Sequence, residues 1–251
     1  MRYSSPKQLC FPPVAGHTVR ADFDGGALSS DLGPLLLRGV DRQIGFTERL
    51  ATALRDKRHQ SYIDHPLHDL LAQRIYQIAS GYADGNDANS LRRDPMFKLG
   101  VDRLPLEPEH DLASAPTFSR LEHSIDRKDL YRLTRAFVDH FIASYPEPPA
   151  AIVLDLDHSD DPTHGQQEFA FYNHYYKNHC YLPLFIFEGT SHALVTAYLR
   201  PGTRPTGAEN AMLLVRLLSY LRHPWPRPHI LVRGDSYSAT PAVVDAIAHR
   251  R

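Results

Sequence analysis

Only two cysteines, Cys10 and Cys180, occur in the 251 residues, far apart and outside any Cys-x-x-Cys spacing. That excludes a disulfide framework and a thiolate zinc site, and leaves two ordinary buried thiols. Long apolar runs are missing as well. None approaches the roughly 18 residues needed to cross a bilayer, and the amino terminus has no basic stretch followed by an apolar one. The expected compartment is therefore the cytoplasm, with no membrane partner. Charge of one sign is also scarce: the formal net charge is -1. A dedicated nucleic-acid module carries a strongly basic balance, so any contact with DNA must run through local basic patches. There is no internal repeat and no low-complexity tract.

The composition present is that of a folding chain. Hydrophobic residues make up 42% and charged residues 23%, a mixture able to bury an apolar core, in one or two domains at about 100–200 residues each. Through Gly33 the chain reads as extended, with Val19 to Asp24 alternating and Gly25-Gly26 as a turn. A helical region follows, marked by Leu35, Leu36, Leu37, Val40, Ile44, Leu50 and Leu54. His68 to Tyr82 predicts a second helix, stopped at Gly81. Asp129 to Ser144 predicts a third, with Leu130, Leu133, Phe137, Phe141 and Ile142 on one face.

The run Tyr145-Pro146-Glu147-Pro148-Pro149 then breaks the helix and marks a boundary between a mainly helical region, 1–148, and a second domain, 149–251. Beyond it the order is strand (Ala151–Asp157), two β-rich runs (Tyr181–Phe187 and Ala193–Leu199) joined by Glu188-Gly189-Thr190-Ser191, helix (Gly207–Leu221), strand (His229–Arg233) and helix (Pro241–Ala248). A strand, an intervening helix and a further strand can bring Ala151–Asp157 and His229–Arg233 together as parallel neighbours.

That arrangement gives the acids their interest. Side chains alternate along a strand, so Val153, Asp155 and Asp157 share one face and Ile152, Leu154 and Leu156 the other. With neighbouring strands about 4.8 Å apart, Asp235 comes within reach of a cation bound by Asp157. Such a hard-oxygen group suits Mg²⁺ or Mn²⁺, the ions that stabilise attacking and leaving oxygens in phosphoryl transfer. Taken singly, each aspartate is as well explained as a turn former or helix cap, and Asp160-Asp161-Pro162-Thr163 reads as a turn in any protein.

The segment Leu154-Asp155-Leu156-Asp157-His158-Ser159-Asp160-Asp161-Pro162-Thr163-His164-Gly165-Gln166-Gln167-Glu168 resembles the first acidic motif of group-1 DDE transposases of bacterial insertion sequences. Further matches follow in order: Tyr175-Tyr176, Cys180-Tyr181-Leu182-Pro183-Leu184, Leu199-Arg200-Pro201-Gly202 and Val232-Arg233-Gly234-Asp235-Ser236. Phe23-Asp24-Gly25-Gly26 and Leu32-Gly33 resemble the family too. The resemblance implies an α/β fold in which a mainly helical amino-terminal region, for DNA-end binding or assembly, precedes a partial ribonuclease H-like mixed sheet with helices. It also implies DNA transposition, with element terminal repeats as the DNA partner and a homo-oligomer as a further expectation. Asp157, followed by His158-Ser159, takes the place of the first catalytic acid and Asp235 the second. Asp155 is a neighbour that orients Asp157 or joins it as a metal ligand, or simply faces solvent.

The family draws its third acid, a glutamate, from a helix well downstream, and no glutamate follows Asp235 in this sequence. The chain is thus expected to be truncated at its carboxyl end and catalytically incomplete. Two other readings stand beside this one: a non-catalytic DNA-binding or regulatory fragment, and a freestanding metal-dependent nuclease or hydrolase using Asp155, Asp157 and Asp235. Histidines at 158, 164, 174 and 179 crowd one region, but none pairs at the His-x-x-x-His spacing of a helical zinc site, so scattered surface or hydrogen-bonded roles are expected. Arg92, Arg93, Arg204, Arg222, Arg227 and Arg233 are candidate phosphate contacts, each on its own better read as a solvated surface residue. Arg233 stands out, on the strand face of Asp235.

Overall fold

A computed structural model describes residues 8–14, 17–22, 29–235 and 238–248. Phe23 to Gly26 and Ser236, used above, lie outside them. The chain divides into two compact units: Met1–Thr47 with Lys57–Ser124, and Glu48–Asp56 with Ile125–Arg251.

In the first unit β1 (Gln8–Val14) and β2 (His17–Asp22) form an antiparallel hairpin. The expected helical region resolves into α1 (Gly33–Ile44) and α2 (Phe46–Ala53), which crosses into the second unit. The break falls at Gly45, in the left-handed region at φ +66°, a conformation that glycine adopts without a Cβ clash. Helix α3 (Leu67–Ala79) stops just before Gly81, at φ +96°. Asp87 to Ser124 carries no long apolar stripe, yet α4 (Asp87–Leu91), α5 (Pro95–Gly100) and α6 (Ala115–Ser124) form there. Local chemistry starts α5: Pro95 opens its first turn, and the Asp94 carboxylate accepts from the Met96 and Phe97 N–H groups at 2.8 and 3.1 Å.

The second unit starts its helices the same way. Helix α7 (Arg127–Ala143) has a reciprocal cap between Asp126 and Asp129. Its inner face is Asp129, Ala136, Val138 and Phe141, whereas Leu130, expected inside, is exposed. Strand β3 (Ala151–His158) follows, then β4 (Asp161–Pro162), β5 (Phe171–Asn173), β6 (Asn178–Tyr181), β7 (Leu184–Glu188) and β8 (Leu194–Tyr198). Helix α8 (Gly207–Arg222), capped reciprocally by Thr206 and Glu209, leads to β9 (His229–Gly234) and α9 (Pro241–Ala248). The architecture is α/β.

The main sheet has the order β8-β7-β3-β9, antiparallel except for the parallel pair β3 and β9. A small antiparallel sheet, β4-β6-β5, lies apart from it. The single strand expected over Tyr181–Phe187 is therefore two. Pro183 lacks the N–H a continuous ladder needs, so Tyr181 pairs with Asp161 in the small sheet while Leu184 pairs with His158 and Tyr198 in the main one. Ile152, Leu154 and Leu156 of β3 enter a core with Ile186, Val195, Leu214, Leu218, Leu221, Trp225 and Val243.

Candidate functional site

Strand β3 is two-sided. Ile152, Leu154, Leu156 and His158 are buried, while Val153 and Asp155 are half-buried and Asp157 is exposed. Strand β9 runs parallel beside it in the register Ala151↔His229, Val153↔Leu231, Asp155↔Arg233 and Leu156↔Gly234. Asp157 and Asp235 each follow the last pair of that register, at the common carboxyl end of the two strands. Alternation puts Leu231, Arg233 and Asp235 in the same outward row as Val153, Asp155 and Asp157, and all three of the β9 row are exposed.

Gly234 is what lets the chain turn here. A Cβ on it would sit 2.7 Å from the Cβ of Ser238, too close for any other residue without displacement. In that turn the Asp235 carbonyl accepts from the Ser238 and Ala239 N–H groups, each at 3.0 Å, and its carboxylate accepts from the Ser238 N–H at 3.3 Å. Asp235 is thus both a turn former and an exposed acid.

Asp155 is engaged differently. Arg233 donates from Nε to Oδ1 at 2.6 Å and from Nη2 to Oδ2 at 2.5 Å. The Arg233 guanidinium holds the Asp155 carboxyl below its ordinary value. Arg233, singled out as a phosphate contact, is spent on this pair. Glu188, buried in the β7–β8 turn, accepts from the N–H groups of Val153, Thr190 and Ser191 and from Ser191 Oγ. Burial pushes its carboxyl up, but the Ser191, Val153 and Thr190 donors outweigh it and the net shift is downward.

Behind the outward row His158 is buried and turned inward. Burial lowers its pKa, the Arg200 charge adds to this, and Asp235, a hydrogen bond with Asn210 and Asp157 oppose it. Arg200, itself buried, reaches Glu209 at 3.3 Å. Two functional-looking residues, Asn210 and Glu209, were not singled out in the sequence; the Thr206-x-x-Glu209 spacing of a capping box was the one signal available. His174 and His179 pack edge-on against the Tyr172 ring at centroid separations of 5.1 and 5.4 Å. Among the described residues no group of three or more His, Cys, Asp or Glu side chains is placed to hold a metal ion. Arg92 and Arg93 both approach Asp111, and Arg222 donates to the Pro228 carbonyl at 2.6 Å. A cavity of about 780 Å³ opens between α7 and α8, lined by Arg135, Tyr198, Arg216 and Tyr220 among others, with none of the three aspartates in its wall.

Residues 11–251 match the family described as transposase DDE domain group 1. The chain belongs to that family. Comparison with curated proteins and with solved structures gives no match. Membership makes DNA transposition the general activity and DNA the partner of this transposase, and family members use a divalent metal. Among the described residues no helix is long and apolar enough to cross a membrane. Two exposed carboxylates at neighbouring strand ends are a donor set that fits Mg²⁺ or Mn²⁺, since Mg²⁺ is commonly held by one or two carboxylates with water and substrate phosphate completing its shell.

Proposed function

We propose that Asp157 and Asp235 are two of the acids of a ribonuclease H-like DNA strand-transfer site, and that they share a divalent cation, Mg²⁺ or Mn²⁺. The observation that carries this reading is the parallel β3–β9 register, whose last pair, Leu156↔Gly234, immediately precedes Asp157 on one strand and Asp235 on the other. The order β8-β7-β3-β9, three antiparallel strands followed through a helix by a parallel fourth, supports the ribonuclease H-like assignment.

A divalent ion there supplies Lewis-acid activation of water, or of a DNA 3′ hydroxyl, and charge neutralisation at the transferring phosphate. The protein's own contribution is placement. Strand β3 is fixed from behind by Leu154 and Leu156, and the Gly234 turn presents Asp235 at the same height. In this reading the backbone brings both carboxylates to one end of the strand pair, which keeps the entropy cost of assembling the site low.

Two carboxylates do not complete the three-acid set of the family. Residues 1–251 taken alone are therefore proposed to bind element-end DNA with little or no strand cleavage, which is the behaviour of a non-catalytic or regulatory fragment. Calorimetric titration of Mn²⁺ into the purified chain tests the cation seat: binding is expected, with losses of at least tenfold in Asp157→Asn and in Asp235→Asn. Equal binding by wild type and both variants would sink the assignment. Incubation with element-end DNA and Mn²⁺ tests the second part, where robust cleavage abolished by Asp157→Ala would show that a third carboxylate is not needed.

A further inference from the structure

We infer that Asp155 and Arg233 form a positioning clamp which sets the β3–β9 register at the strand ends, and that Asp155 is not itself a cation ligand. This rests on the reading of Asp157 and Asp235 as a cation seat.

The two residues stand directly opposite each other in the parallel register, two positions before Asp157 and Asp235 on the same outward row. Both guanidinium donors meet both carboxylate oxygens, the fork-to-fork geometry that gives an Arg–Asp pair directional specificity. The need for it follows from the pleat. A slip of one residue would turn Ile230 and Val232 out of the core, so burial forbids it. A slip of two keeps every apolar residue inside, and burial is blind to it. Yet at about 3.3 Å per residue, a two-residue slip moves Asp235 more than about 6 Å along the strand relative to Asp157. The same slip would set Arg233 against Val153 or Asp157. Against Val153 the guanidinium loses its carboxylate, and against Asp157 it would take an acid of the proposed cation seat; only pairing with Asp155 satisfies Arg233 and leaves Asp157 to the cation.

Gly189, at the start of the β7–β8 turn, makes room for the clamp. A Cβ there would lie 2.7 Å from Asp155 Oδ2 and 3.0 Å from the Val153 side chain, and would also meet the Arg233 guanidinium. Its N–H donates to the Val153 carbonyl at 2.8 Å, which holds the turn against β3. The pair is partly exposed, so it adds little to global stability. Its effect is local and geometric.

The test uses the full 251-residue chain and two readouts. In Mn²⁺ titrations, Asp155→Ala and Arg233→Ala are each expected to weaken binding about tenfold, the low end for residues that orient metal ligands, and the exchange Asp155→Arg with Arg233→Asp to recover most of it. Loss of Mn²⁺ in Asp155→Ala with wild-type or tighter binding in Arg233→Ala would make Asp155 a direct ligand and overturn the inference. The second readout needs no metal. Val153→Cys with Leu231→Cys places two thiols opposite each other in register, within the spacing that a disulfide bridges. Its oxidative yield is expected to drop severalfold when Arg233→Ala is added. Unchanged yield overturns the clamp; a drop in yield in a protein that takes up no Mn²⁺ leaves the clamp standing and removes the cation seat.

Discussion

The two units are stabilised by different means. Among the described residues, the second has a single cluster of fourteen buried apolar side chains, into which the inward row of β3 projects. The described residues of the first form two smaller clusters, of six and four residues, joined by buried polar bonds. Gln73 donates to the Ala113 carbonyl and accepts from its N–H, at 2.9 and 3.0 Å, across forty residues of sequence. Lys98, buried, meets Asp111 at 2.9 Å and donates to the Glu107 carbonyl at the same distance. The Asp41 carboxylate gathers the Thr47 N–H, the Thr47 hydroxyl and the Tyr76 hydroxyl, and burial together with that bond raises the Tyr76 pKa. An apolar core tolerates repacking, whereas a half-satisfied polar network is worse than none. The first unit should therefore fail sharply at single polar positions, and the second should carry its exposed acids at almost no structural cost.

The largest effect is expected in the first unit. Asp111→Ala leaves Lys98 buried without its counter-charge and should cost about 3–5 kcal/mol, read as a lower urea midpoint by circular dichroism. A loss under about 1 kcal/mol would mean that the buried pair is not what holds this unit. An intermediate effect is expected where the second unit also uses a buried polar group. Glu188→Gln keeps the size but replaces an ionised acceptor of four bonds, for an expected loss of about 1–3 kcal/mol at pH 7. The folded Glu188 carboxyl is shifted below its ordinary value, so its contribution is full above the unfolded value of about 4.3 and fades as pH falls through the folded one. The gap between wild type and Glu188→Gln should thus close below about pH 4, and a gap constant from pH 7 to pH 3 would contradict the cause given. The smallest effect is expected at Asp157→Asn and Asp235→Asn, each within about 0.5 kcal/mol of wild type. A large loss at Asp235 would mark it as a turn cap before anything else.

How much of this was legible in the sequence depended on whether the signal was local. The apolar run of β3, its terminal acids and the strand–helix–strand order were readable, because alternation and burial are written residue by residue. The polar ties of the first unit were not: Gln73 and Ala113, or Lys98 and Asp111, look like ordinary residues until the backbone brings them together. Short helices such as Asp87–Leu91 carry too few turns to show a period. The split of Tyr181–Phe187 between two sheets was signalled by Pro183, but only pairing partners reveal which sheet takes each half. Likewise Asp155 looked equivalent to Asp157 by alternation, and what separates them is Arg233, seventy-eight positions later.

The pleat of β3 has an evolutionary corollary. Even-numbered positions answer to the core and odd-numbered ones to whatever meets the outer surface, so selection for folding and selection for chemistry fall on alternate codons of one short stretch. A lineage can exchange the second set, and with it the reaction, while the first set keeps the domain intact.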